Sequence, residues 1–167
     1  MFRPMRRFKQ ALSPEECRAV LERGTSGVLA LSGDGGWPYA VPLSYVYADG
    51  KIYFHSAKSG HKVDAIRSCP RASFCVIDQD QIVPEEYTSH FRSVIVFGTM
   101  RILEDDGEKR AAIEALALKY APDDDAADRN RAIDREWAPL CMLELTIDHI
   151  TGKEAIELVK AKRPSGQ

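Results

Sequence analysis

The densest chemistry in the chain lies in His55-Ser56-Ala57-Lys58-Ser59-Gly60-His61-Lys62. An aromatic and β-branched run precedes it and a helical pattern follows. The segment therefore reads as the end of a strand, a short loop and the first turn of a helix. Such a loop gathers free N–H groups, the positive end of a helix dipole, hydroxyls and two lysines, an anion cradle suited to a phosphate monoester. The same residues would also serve as a plain solvated loop that caps a helix, and the spacing alone fits both. It matches neither a Walker A loop nor a dinucleotide fingerprint, so ATP and Rossmann-bound nucleotides are not indicated. Tyr39, Tyr45, Tyr47, Tyr53 and Phe54 crowd the residues just before it. Aromatics at that density fill cores and interfaces, or line a groove for a flat ligand. Beside the cradle, they point to a flat phosphorylated cofactor.

Other chemistries find less support. His55 and His61 stand six apart, with His90 and His149 elsewhere, and no HExxH or Cys/His pairing accompanies them, so no metal site is expected. Cys17, Cys69, Cys75 and Cys141 are dispersed without a CxxC pair, as buried reduced thiols of a cytoplasmic protein would be. No GxSxG elbow supports a serine hydrolase. Across 167 residues, 23 basic against 25 acidic side chains leave a net charge of −2, which removes broad, sequence-independent nucleic-acid binding. No apolar run approaches the ~20 residues that span a bilayer. The basic N-terminus lacks the apolar stretch of a secretory signal, and no membrane partner is expected.

The elements that must position the cradle follow from the periodicity. Ser13-Pro14-Glu15-Glu16 opens a helix with the pattern of a capping box, and Gly24 closes it. Gly27–Leu31 reads as a strand and Gly33–Gly36 as a hairpin turn. From Pro38 to Tyr47 the pattern alternates, with Tyr39, Val41, Leu43, Tyr45 and Tyr47 on one face. Pro42 cannot donate to a ladder, so a break, bulge or free edge is expected there. Lys51–His55 is the next strand and His61–Ser68 a short helix. Further strands are expected over Arg71–Asp78, Ser93–Leu103 with a bulge at Gly98, and Met142–Ile150; Glu108–Tyr120 is helical. Residues 79–92 read as polar and irregular, and Pro122–Asp125 as a solvated acidic turn. This order is not an alternating βαβ pattern. It predicts a mainly β domain, a small antiparallel barrel with peripheral helices, over residues 1–167 with a core of about 5–157 and a flexible tail from 158.

Four segments in this order resemble the pyridoxamine 5′-phosphate oxidase-like FMN-binding split-barrel proteins, and within them the nitroimidazole-resistance subgroup. They are Gly36–Tyr47, Ile52–Ala57 with Gly60-His61-Lys62, Arg92–Gly98, and Ile150–Ala155, with Met5-Arg6-Arg7 at the N-terminus. The resemblance covers about residues 5–157. It implies a six-stranded antiparallel split β-barrel that forms a homodimer with FMN at the subunit interface. By motif, Val41, Pro42, Leu43 and Ser44 would lie along the isoalloxazine. Phe54, His55, Ser56, Ala57, Lys58, Gly60, His61 and Lys62 would hold the ribityl phosphate end. Ser93 and Val94 would approach the flavin from the same or the other subunit, and Trp137 and Lys153 would close the site.

The resemblance does not itself fix the reaction; the function expected is a reductase that passes electrons from reduced FMN to a small nitroaromatic or quinone-like substrate, with His55 as the catalytic residue beside it. Alternatives are a non-catalytic flavin- or haem-binding protein, with His55, His61 and His149 as candidate axial ligands, or a deazaflavin in place of FMN. The basic substrate-phosphate residues of a pyridoxamine phosphate oxidase find no match.

Overall fold

The computed structural model describes residues 2–162. A seven-stranded antiparallel sheet, in the order β2-β1-β5-β6-β7-β4-β3, curls around one main hydrophobic core. Its strands are β1 (Ser26–Ser32), β2 (Pro38–Ser44), β3 (Val46–Ala48), β4 (Lys51–Ala57), β5 (Arg71–Val83), β6 (Thr88–Ile102) and β7 (Leu140–Glu154). The helices are α1 (Pro14–Arg23), α2 (His61–Ser68), α3 (Asp106–Tyr120), α4 (Ala126–Glu136) and α5 (Ile156–Ala161). Among the described residues no helix is long and apolar enough to cross a membrane.

The seventh strand arises where six were expected because the run from Pro38 to Tyr47 breaks at Tyr45. Up to Ser44 the run pairs with β1; from Val46 it pairs with β4. Tyr45 is fully buried at the break. Its hydroxyl donates to the Leu21 carbonyl at 2.8 Å, and its N–H donates to the Tyr120 hydroxyl at 3.1 Å. Pro42 lies in β2, which among the described residues pairs with β1 alone and so forms the free edge expected there.

The core face follows the strand alternation. Leu29, Phe54, Phe74, Val94, Val96, Leu143 and Leu145 are almost completely buried, and Phe74 meets both Tyr45 and Phe54 edge-to-face at 5.0 Å. The capping box of α1 is complete: Ser13 N–H donates to Glu16 Oε2 at 2.8 Å and Glu16 N–H to Ser13 Oγ at 3.2 Å. At Gly98 the β6–β7 register slips, with Phe97 opposite His149 but Gly98 opposite Ile147, so the extra residue, Asp148, stands on β7. A Cβ on Gly98 would collide with the Thr146 carbonyl, which explains a glycine there.

Two sequence expectations are corrected. Residues 79–92 are a long β-hairpin, the outer ends of β5 and β6, turning through Pro84–Glu86 with Tyr87 at φ 49°. Its tip covers no core: Ile82 and Tyr87 are largely exposed, so the alternation that signals a half-buried strand is missing. Helix α4 follows the acidic turn. It buries only Ile133, too thin a stripe to stand out among its charges. Helix α5 occupies Ile156–Ala161 and overlaps the start of the tail expected from 158, of which residues 163–167 lie outside the described residues.

Candidate functional site

The sheet does not close. Strand β3 pairs with β4 as far as Tyr53, so from Phe54 to Ala57 β4 has β7 as its only strand neighbour among the described residues. The free edge of β2 stands across this gap. The result is a cleft of about 430 Å³ between two sheet edges. Tyr39, Leu43 and Ser44 line it from β2, His55, Ser56 and Ala57 from β4, and Ser59 to Lys62 from the start of α2.

The start of α2 is arranged for an anion. Gly60 occupies the N-cap position at φ 123°, a conformation that side-chain-bearing residues rarely adopt, and the cap has no side-chain hydrogen bond. The Val63 and Asp64 N–H groups return to the Gly60 carbonyl, which leaves those of His61 and Lys62 without an intrahelical acceptor. Lys62 is half-buried in the wall and forms no ion pair among the described residues. Burial lowers its pKa from the ordinary lysine range. A desolvated cation without a counter-charge, beside open N–H groups, is a site that an anionic oxygen would complete. The His61 ring stacks on Tyr39, centroid to centroid 4.1 Å and tilted 22°, and its Nε2 lies 3.8 Å from the exposed Asp34 carboxylate.

His55 sits where three hollows meet. It lines the cleft, a cavity of about 260 Å³ with Ser44, Leu116 and Tyr120, and a larger one of about 490 Å³ under α3 and α4. Its ring is exposed and makes no hydrogen bond among the described residues, so both nitrogens are available to a ligand. Among the described residues no group of three or more metal-ligating side chains forms.

The fold brings together Leu43, Ser44, His55, Ser56, Ala57, Gly60, His61 and Lys62 of the expected set. Others lie around or away from the cleft. Val41 is half-buried against the core, Pro42 points outward, and Phe54 is wholly in the core, so what Phe54 presents to the gap is backbone. Lys58 is exposed and outside the lining. Trp137 packs beside Ile113 and Leu140 with Lys109 Nζ 4.0 Å above its ring. Ser93 and Lys153 are paired across β6 and β7, and Val94 is fully buried. His55 lies opposite Met142 on β7, eleven residues before Lys153, about 36 Å of strand path at ~3.3 Å per residue. Tyr39, from the aromatic run, and Ser59, from the cradle segment, line the cleft as well. The period-two alternation of β2 places Tyr39 on the face of Leu43, and Ser59 sits between two motif residues.

Residues 13–154 match the family described as pyridoxamine 5′-phosphate oxidase. The chain belongs to this family. Its fold recurs in an FAD-binding protein from Mesorhizobium loti, 29% identical over 87% of this chain and 97% of the other, at a TM-score of 0.64. It recurs as well in a putative 5-nitroimidazole antibiotic resistance protein from Bacteroides thetaiotaomicron, 19% identical over 86% of each chain, at 0.71. An FAD- and haem-binding protein from Mycobacterium smegmatis is 23% identical over 95% of this chain and 82% of the other, also at 0.71. No curated protein matches the chain in sequence. The family and the mainly β split-barrel fold read from the motifs are therefore met.

Proposed function

We propose that the cleft binds a phosphorylated flavin, FMN in the first instance, and that the protein is a cytoplasmic oxidoreductase reducing a small nitroaromatic or quinone-like acceptor. The observation that carries this reading is the α2 start, where an unpaired, half-buried Lys62 and open N–H groups face a gap between two sheet edges. The residues fit the group: a phosphate satisfies Lys62 and the first turn, and a flat ring finds Leu43, Ser44 and the unpaired edge of β4 beside it. Flavin binding by relatives of this fold supports it.

A bound flavin supplies reversible electron transfer, and positioning and proton handling fall to the chain. Ser59, Gly60, His61 and Lys62 fix the phosphate end and so set the reach of the ring. Leu43 and the Ala57 methyl exclude water from one side. His55, with both ring nitrogens unengaged, hydrogen-bonds the acceptor's oxygen and carries the proton that oxygen takes up.

A homodimer belongs to the same proposal. Val28, Cys75, Ile95 and Thr151 form one row across the outer sheet face, and Ile77, Ser93 and Lys153 belong to the next outward-facing row. Val28, Ile77, Ile95 and Phe97 are exposed on this face, an apolar surface that a second copy would cover. Pairing there would carry Ser93 and Lys153 of one copy toward the cleft of the other, the route the β7 path length leaves open to them.

The test is the absorption spectrum of the purified protein, followed by denaturation and identification of what is released. Twin flavin bands and released FMN support the reading, and released FAD or a deazaflavin would revise the cofactor while keeping the cleft. A Soret band would give the cleft to haem, with His55 or His61 as ligand. A colourless protein that takes up none of these overturns the assignment.

A further inference from the structure

The cavity beneath α3 and α4 is absorbed by nothing in the flavin reading, yet it shares a wall with the cleft. His55, Ser56 and Ala57 line both, so whatever lies along β4 abuts the opening of the second cavity. At about 490 Å³ it has the size of a small-molecule pocket. Its floor is Ile113 and Ala117 from α3, Ala132 and Ile133 from α4, and Pro139 and Leu140 entering β7. These are apolar and small or branched, without hydroxyls or amides. The charged groups are Asp124, Arg129 and Glu136, two carboxylates against one guanidinium, and Arg129 Nη1 is turned to the Asp124 carbonyl at 3.2 Å.

The two hollows are thus opposite in chemistry. The cleft offers an unpaired ammonium and helix N–H groups; the cavity offers hydrocarbon edged by net negative charge. An anion entering the cavity would lose hydration against apolar walls and meet carboxylates, whereas an uncharged planar ring would bury apolar surface and keep its polar atom at His55. We propose that the α3–α4 cavity is the acceptor subsite, taking an uncharged planar compound of one or two rings and rejecting anionic ones, with Ala117 and Ala132 setting the ring size admitted. Its role as an acceptor subsite rests on the flavin reading; its ligand class does not.

The experiment measures binding of 1,4-naphthoquinone to the protein as purified by ligand-observed NMR, with 1-naphthoate as the anionic comparison. Naphthoquinone should bind at least 10-fold more tightly than naphthoate. Ala117→Phe should weaken naphthoquinone at least 10-fold, and Ala132→Phe, at an exposed helix position, should do the same should Ala117→Phe fail to fold. The flavin content of either folded variant should match wild type. Equal binding of the two probes, or naphthoquinone binding unmoved in the folded variants, overturns the proposal while the flavin reading stands. Naphthoquinone binding that excludes naphthoate and is lost in the folded variants, in a protein that carries no flavin at all, leaves the ligand class supported and removes the flavin reading instead.

Discussion

The two ends of β7 treat charge in opposite ways. At its far end Glu154, almost fully buried, pairs with Arg92 at 3.0 Å and Lys162 at 2.6 Å. Arg92 continues to Asp78 at 3.0 Å, and Arg23 grips Asp78 at 2.6 Å through both carboxylate oxygens. Lys162 also reaches Glu16, the partner of Ser13 in the α1 cap. At the near end β7 runs beside His55 and Ser56, and Lys62 in the cleft wall has no carboxylate partner among the described residues. One end spends its charges joining α1, β5, β6, β7 and α5. The other leaves a cation and a helix start uncompensated, which is the arrangement that binds rather than braces.

The comparison is broken most directly at the braced end. Arg92→Met removes one of two cations from each of Asp78 and Glu154, both carboxylates being at most 9% exposed. Each keeps its second cation, so the expected loss is about 2–3 kcal/mol of unfolding free energy, less than stranding a buried charge outright. Urea denaturation of the flavin-free protein measures it, and FMN affinity should stay within about twofold of wild type. A variant of wild-type stability would mean that the network braces nothing.

Lys62→Met makes the complementary break. Losing a charge-assisted contact to phosphate should weaken FMN about 10- to 100-fold, as read by fluorescence quenching on titration. The flavin-free variant should unfold at the same urea concentration or slightly higher, because a half-buried cation without a partner has been removed. Weaker folding with unchanged FMN affinity would place Lys62 among the braces.

pH separates the ends by direction. The Arg23 guanidinium, ahead of Arg92, holds the Asp78 carboxyl below its ordinary 3.8. The stability this contributes is present above the unfolded value near 3.8 and is lost as pH falls through the lower folded value. Lys62 has its pKa lowered by burial from 10.5, so FMN affinity should begin to fall with rising pH before that value is reached. Acid should therefore loosen the far end and alkali empty the near one. Urea midpoints at low pH and FMN titrations at high pH check each arm.

How much of this was legible in the sequence divides by kind of signal. Ser13 and Glu16 announced the α1 cap, Pro42 the free edge, and His61–Ser68 its helix, because each depends on neighbours close in sequence. The run from His55 to Lys62 announced a strand end, a short loop and a helix start for the same reason. The break at Tyr45 was hidden, since it is made by Leu21 and Tyr120, remote in sequence, that take up its polar groups. The hairpin over 79–92 and helix α4 were hidden because they bury too little for either periodicity to register. The cavity under α4 could not be read for that reason, and neither could the pairing of Arg92 with Glu154, 62 residues apart.

Lys58 and Lys62 make the finest form of the comparison. In the sequence they are equivalent, two cations flanking Ser59-Gly60-His61 in one polar loop. In the fold Lys62 is half-buried in the cleft wall, while Lys58 is exposed and outside it. An exposed cation acts on a phosphate through solvent and is screened over ~10 Å at 0.1 M salt. Lys58→Ala should therefore raise the Kd for FMN by less than about threefold, as befits an exposed charge. Raising the salt should erase that difference. The loss in Lys62→Met should largely persist in salt, because its contact is made inside the wall rather than across water. Equal, salt-sensitive losses in the two variants would mean that net positive charge near the loop, rather than the uncompensated position of one lysine, holds the phosphate.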